Sequence, residues 1–254
     1  MKRIKLFEEF SQKIDIIDIY SMSSGEVEGV FIREMEKETP DLENIEAFIE
    51  SGRVDFNTIK NEKGETPLHL AVLRGSAPLV KLFLEQGISP NIKNEWKQIP
   101  LHLAVIHPHK EIVEILLDAG SDFDTQDLNK ETPLHEACKY NQYEIGKMLL
   151  DRGAEYTLED KDGDTPLHIS AWHNSPMLAK LLIEMGANPM SENDNWITPL
   201  HLAVYRESFD VVILLLKEGA DLLAESRDGE RPMDYVHSEE MMSIIQEYGK
   251  NTDI

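Results

Sequence analysis

The sequence predicts an all-α repeat solenoid, and three observations carry that prediction. Pro-Leu-His recurs at Pro67, Pro100, Pro133, Pro166 and Pro199, 33 residues apart each time, with a degraded Pro-Met-Asp one period further at Pro232. Gly87, Gly120, Gly153, Gly186 and Gly219 keep the same spacing and follow apolar runs such as Leu82-Phe83-Leu84 and Leu214-Leu215-Leu216. Between these markers apolar residues fall at helical spacing, as in Ile112, Val113, Ile115, Leu116 and Leu117. A fixed period of this length is one supersecondary unit copied along the chain. Such a unit cannot bury its apolar face alone, so neighbours stack into a continuous core.

Each unit can be read in order. Thr66, Thr132, Thr165 and Thr198 stand where a helix N-cap is wanted, and the proline that follows suits the first helical position because it lacks only an orphan N–H. Ile99 replaces the threonine in the second unit, so that helix start should be weaker by about 0.5–2 kcal/mol. The first helix is short and small-sided (Leu70, Ala71, Val72), and the second is the more apolar. Between them Gly75, Asn141 and Asn174 tolerate a left-handed turn. Pro108 and Glu207 fit that turn poorly, so the second and fifth units are expected to have shifted helix junctions. The glycine after each second helix supplies the C′ position.

These residues, Thr66-Pro67-Leu68-His69-Leu70-Ala71, Thr132-Pro133-Leu134-His135-Glu136-Ala137 and Thr198-Pro199-Leu200-His201-Leu202-Ala203, resemble the ankyrin repeat. The resemblance implies an ankyrin-like stack of helix-turn-helix units with β-hairpin loops. Five full repeats are expected over 61–225. Residues 26–60 read as a degenerate N-terminal capping repeat and 226–254 as a C-terminal cap and tail. Residues 1–25 lie outside the register and fit a short strand or an added helix equally well. Lys2, Arg3 and Lys5 suggest a secretion signal, but Glu8, Glu9 and Asp15 interrupt the apolar stretch it would need.

Composition narrows the function. The 254 residues carry a formal net charge of −23, from 48 acidic and 25 basic side chains. That balance argues against nucleic acid and anionic membranes, both of which are bound through Lys and Arg, and favours a basic partner. No apolar segment is long enough to span a bilayer. The single cysteine, Cys138, occupies the place of Val72, Val105, Ala171 and Val204, so it reads as a small buried residue in a reducing, cytoplasmic protein. The chain is expected to be a monomer in isolation.

Catalytic and metal chemistry find little support. His69, His102, His135, His168 and His201 belong to separate repeats, whose equivalent side chains lie on the order of 10 Å apart, too far to share one zinc. The resemblance implies that these histidines order the turns through hydrogen bonds to backbone and to the capping threonine. His135 and Cys138 are one turn apart on a helix, but both hold scaffold positions. His107, His109 and His173 read as solvent-facing turn residues. No phosphate loop, nucleophile elbow or paired-cysteine motif is present, so no enzyme activity, cofactor or metal is expected.

The same resemblance places function on a concave surface made of hairpin tips and first-helix ends. The residues there include Trp96, Ile106, His107, Lys139, Tyr140, Trp172, His173, Tyr205 and Arg206, with Glu95, Glu131 and Glu192 as flanking carboxylates that could steer a basic partner. Trp196 stands where other repeats have Gly64, Gly163 and Gly229, and is expected to pack on adjacent turns. The implied role is a non-catalytic protein-binding module. Narrower alternatives are an inhibitor or immunity protein that occludes a basic enzyme or toxin, and a bacterial or viral effector acting on host proteins.

Overall fold

The computed structural model describes residues 16–248, and among them every regular element is helical. By internal contacts the chain divides into two compact units, Met1–Ser121 and Asp122–Ile254. The first holds α1 (Ile16–Ser21), α2 (Ser24–Glu36), α3 (Leu42–Ser51), α4 (Pro67–Leu73), α5 (Ala77–Glu85), α6 (Pro100–Ile106) and α7 (Lys110–Asp118). The second holds α8 (Pro133–Lys139), α9 (Tyr143–Asp151), α10 (Pro166–Trp172), α11 (Pro176–Glu184), α12 (Pro199–Tyr205), α13 (Phe209–Lys217), a 3-10 turn (Pro232–Tyr235) and α14 (Glu239–Tyr248). The chain is an all-α repeat solenoid. No described helix is long and apolar enough to cross a membrane.

The start of every repeat follows from its sequence. Proline occupies the first turn of α4, α6, α8, α10 and α12, and the leucine after it is completely or almost completely buried in all five (Leu68, Leu101, Leu134, Leu167, Leu200). Burying a leucine is worth about 1.5–3 kcal/mol, so one residue type repeated at one register position supplies much of the stacking energy.

In the first unit, Phe31 of α2 meets Phe48 of α3, Phe56 and Phe83 of α5 in edge-on or tilted contacts, with ring centroids 5.3–6.2 Å apart. This aromatic cluster closes the start of the stack. Short α1, helical where the sequence allowed a strand or a helix, buries Ile19 and is tied to α3 by Tyr20 Oη donating to the Ser51 carbonyl. The charged start at Lys2, Arg3 and Lys5 lies outside the described residues.

Three expectations are corrected by the structure. The loops between repeats are tight turns, and no strand occurs among the described residues. Each turn is closed by two short-range backbone bonds, as in Asp160 N–H to the Asp164 carbonyl (2.9 Å) with Gly163 N–H to Asp160 (3.2 Å), and Asn193 N–H to Ile197 (3.0 Å) with Trp196 N–H to Asn193 (2.9 Å), and the pairing does not extend into a strand ladder. Secondly, α12 and α13 keep the same junction as the other repeats, because Glu207 itself adopts φ +53°, the left-handed conformation held by Gly75 in the first repeat. Thirdly, α6 and α7 keep their register too. The local change there falls on Pro108, which does not take the left-handed conformation of Gly75, and on His107, which turns extended (φ −105°, ψ 90°) because a residue before proline is kept out of the helical region.

Candidate functional site

Construction of the exposed surface begins with the repeat histidine. In four repeats the threonine hydroxyl lies 2.8–2.9 Å from Nδ1 of the histidine three residues on (Thr66–His69, Thr132–His135, Thr165–His168, Thr198–His201), and the threonine backbone N–H also donates to that nitrogen. Nε2 then faces a carbonyl of the following turn, at 3.0 Å for His69 to Gln98, 3.1 Å for His135 to Asp164 and 3.0 Å for His168 to Ile197. A carbonyl can only accept, so Nε2 carries the proton and each ring is neutral. Burial holds His69 and His168 down to about 4 and lowers His135 and His201 as well. In the second repeat the Ile99 backbone N–H donates to His102 Nδ1 (3.3 Å), and the absence of a threonine hydroxyl removes the side-chain bond made in the other repeats.

The turns rest on a residue that the sequence reading passed over. Asn61, Asn94, Asp127, Asp160 and Asn193 recur every 33 residues, and each Oδ1 accepts backbone N–H groups two and four residues on, at 2.7–3.1 Å. Asx residues mimic a backbone turn in this way. The signal was visible as a second periodic marker, but alternation between Asn and Asp hid it among many acidic residues. The residue three positions after each Asx is left-handed: glycine at Gly64 and Gly163, but Lys97, Lys130 and Trp196 elsewhere, at φ 58–59°.

In the Asp122–Ile254 unit the turn tips are joined in a row. Lys161 N–H donates to the Asn129 carbonyl (2.9 Å), Asp194 to Asp162 (3.2 Å) and Arg227 to Asn195 (2.9 Å). Beside them the first-helix ends form an aromatic ladder. Trp172 and Tyr205 stack with centroids 5.6 Å apart and planes 14° apart, and Tyr205 meets Tyr235 edge-on at 5.6 Å. The Arg206 guanidinium lies 4.9 Å from the Trp172 ring centre, and its Nε donates to the Trp172 carbonyl. Tyr140, with Lys139 Nζ 5.9 Å from its ring, and Tyr205 remain nearly half exposed. His173 and Glu192 are exposed.

Two residues depart from their expected setting. Glu131 is buried and held by Lys139 Nζ at 3.0 and 3.2 Å, so it is no surface charge for steering a partner, and Lys139 is engaged with it. Trp196 is about half exposed, on a left-handed backbone, with the Arg227 guanidinium 6.0 Å from its ring centre. The first unit offers its own patch: exposed Glu95, Trp96 and His107 and half-buried Ile106. There the His109 ring covers Gly75 so closely that a Cβ on the glycine would sit 2.7 Å from it. His135 and Cys138 are both buried, and desolvation pushes the thiol up to about 12, which removes the thiolate a nucleophile would require.

Comparison with known proteins agrees with this architecture. The family model described as ankyrin repeats (3 copies) matches residues 37–127, 78–160, 119–193 and 156–226. Among solved structures, the ankyrin repeat domain of Bcl-3, described as a unique member of the IkappaB protein family, is similar with TM-score 0.68 and 25% identity. The match covers 91% of this chain and 96% of that one. No curated protein sequence matches. Ankyrin repeats are in general protein–protein interaction modules. With matches running from residue 37 to residue 226, the chain belongs to the ankyrin repeat family.

Proposed function

We propose that this protein is a non-catalytic module that binds a basic partner protein through the turn tips and first-helix ends of the Asp122–Ile254 unit. The observation that carries the reading is the Trp172–Tyr205–Tyr235 ladder with Arg206 laid on it, ordered before any partner arrives. Trp, Tyr and Arg are the residue types that dominate binding energy at interfaces, and a surface already held in place loses little side-chain freedom on binding. The turns beside the ladder carry exposed Asp162, Glu192 and Asp194, and the chain as a whole is at −23, so a cationic partner is favoured by the long-range field. Trp96, Ile106, His107 and Glu95 supply a second patch of similar character within Met1–Ser121.

The test is affinity capture from native lysate with the wild-type chain and with a Tyr140→Ala/Tyr205→Ala variant side by side, read by mass spectrometry. A basic protein retained by the first and lost by the second supports the reading. Equal capture by both moves the site away from the ladder.

A further inference from the structure

One side chain breaks the pattern of the first helices. At the register position where the other four full repeats have Leu70, Leu103, Ile169 and Leu202, the third has Glu136, which is only 2% exposed. A carboxylate placed where four aliphatic residues sit costs several kcal/mol of desolvation unless something compensates. Compensation within the chain is incomplete. Glu136 Oε2 is buried without a hydrogen bond, and its ion pair with Lys139 Nζ, at 3.6 Å, is too long to be one.

Two further carboxylates converge on the same spot. Asp127, from the Asx position of the preceding turn, and Glu131, at the end of that turn, each bring an oxygen so that the three ligand atoms all lie within 4.8 Å of one another. Asp127 is 6% exposed and Glu131 9% exposed, so this is an interior cluster and not a solvated acidic face. Facing these carboxylates is the ammonium of Lys139, which bonds Glu131 at 3.0 and 3.2 Å. Its side chain is partly exposed (31%) and can swing outward on its four-carbon stem.

We propose that Asp127, Glu131 and Glu136 form a binding site for a single calcium-sized divalent cation, which displaces the Lys139 ammonium. The donor set is all oxygen, the chemistry of a hard cation. Size selects within that class. Calcium–oxygen distances of about 2.3–2.6 Å allow ligand atoms on opposite sides of the ion to be about 4.6–5.2 Å apart, whereas magnesium, at about 2.0–2.1 Å, needs them within about 4.2 Å. The 4.8 Å bound on the separations lies within the calcium range and exceeds the magnesium one, and water reaching past the displaced lysine completes the shell. Occupancy would tie the turn at 127–131 to the first turns of α8, satisfying the orphaned Oε2 directly.

The experiment is isothermal titration of the full chain with calcium chloride and separately with magnesium chloride, paired with thermal unfolding in each salt. Wild type should bind one calcium with a rise in Tm and bind magnesium more weakly. Glu136→Leu, which installs the residue type of the other repeats and is therefore expected to fold, should abolish the calcium response. Lys139→Met removes the competing ammonium and should tighten calcium roughly tenfold. Absence of binding in both wild type and Lys139→Met, or undiminished calcium affinity in Glu136→Leu, overturns the proposal.

Discussion

His168 and Ile197 are 29 residues apart in sequence yet joined by one hydrogen bond, Nε2 of the ring donating to the carbonyl at 3.0 Å. The other ring nitrogen is filled by Thr165 of the same repeat, so one imidazole closes its own helix start and fastens the next turn. His135 repeats the arrangement between Thr132 and Asp164. His135→Ala should therefore strand a buried carbonyl and a buried N–H and destabilise the fold by about 1–3 kcal/mol in chemical denaturation. Added zinc should not restore the loss. An unchanged denaturation midpoint would show that the bonds contribute nothing.

Acid should weaken the same joints. Burial keeps His69 and His168 neutral, at about 4, whereas in the unfolded chain they titrate near 6.5. The unfolded state thus binds more protons between those values, and stability that is complete above about pH 6.5 is lost as pH falls toward about 4, at about 1.4 kcal/mol per pH unit for each histidine. Asp164 and Glu136 act in the opposite sense, because burial raises them to about 6 and about 7. The histidine share is accordingly read as a difference. Between pH 7 and pH 5, His168→Gln should lose less stability than wild type, and parallel curves for the two would refute the linkage.

Left-handed backbone at non-glycine residues stores removable strain. Lys130 holds φ +58° at the place where Gly163 holds +81° in the next repeat. Lys130→Gly should raise stability by up to about 1 kcal/mol, since the steric cost of that conformation exceeds the chain entropy that glycine gives up. The converse change, Gly163→Ala, should be destabilising, because its Cβ would lie 2.6 Å from the Asp194 backbone nitrogen. Thermal melts of the two variants should move in opposite directions.

Binding should separate contact from steering. Once a partner is in hand, Trp172→Ala should weaken it by roughly 2 kcal/mol or more, mainly through faster dissociation. Exposed Glu95 and Glu192, changed together to glutamine, should slow association and flatten its salt dependence instead. Surface plasmon resonance distinguishes the two effects, and wild-type kinetics in both variants would remove the proposed surfaces from consideration.

How far the sequence could be read is clearest from particular residues. The helices were legible because Thr, Pro and Gly act locally, each fixing a cap or a left-handed turn within its own repeat. Glu207 misled because glutamate rarely takes a positive φ, and here the closely packed helices on either side impose it. Glu131 read as a surface charge because the lysine that engages it comes eight residues later, from the far end of the next helix. The ladder residues Trp172 and Tyr205 were picked out singly from the register, but their stacking depends on a neighbour one period away. The ladder was hidden because its partners lie in neighbouring repeats, and the Glu131–Lys139 pair because it joins a turn to the far end of the following helix within one repeat.

The last repeat position has a consequence for growth of the array. Asp234 stands one period after His201, and its carboxylate accepts the Arg231 N–H at 2.7 Å as the histidines accept from their threonines. His201 still passes its Nε2 bond forward, to the Glu230 carbonyl at 3.2 Å, but a carboxylate has no N–H to pass on. The relay runs in one direction and stops at Asp234. Lengthening this protein by another copy at its C-terminal end would therefore require a histidine in place of Asp234 to receive the newcomer, whereas a copy grafted ahead of the first full repeat would have to bring its own.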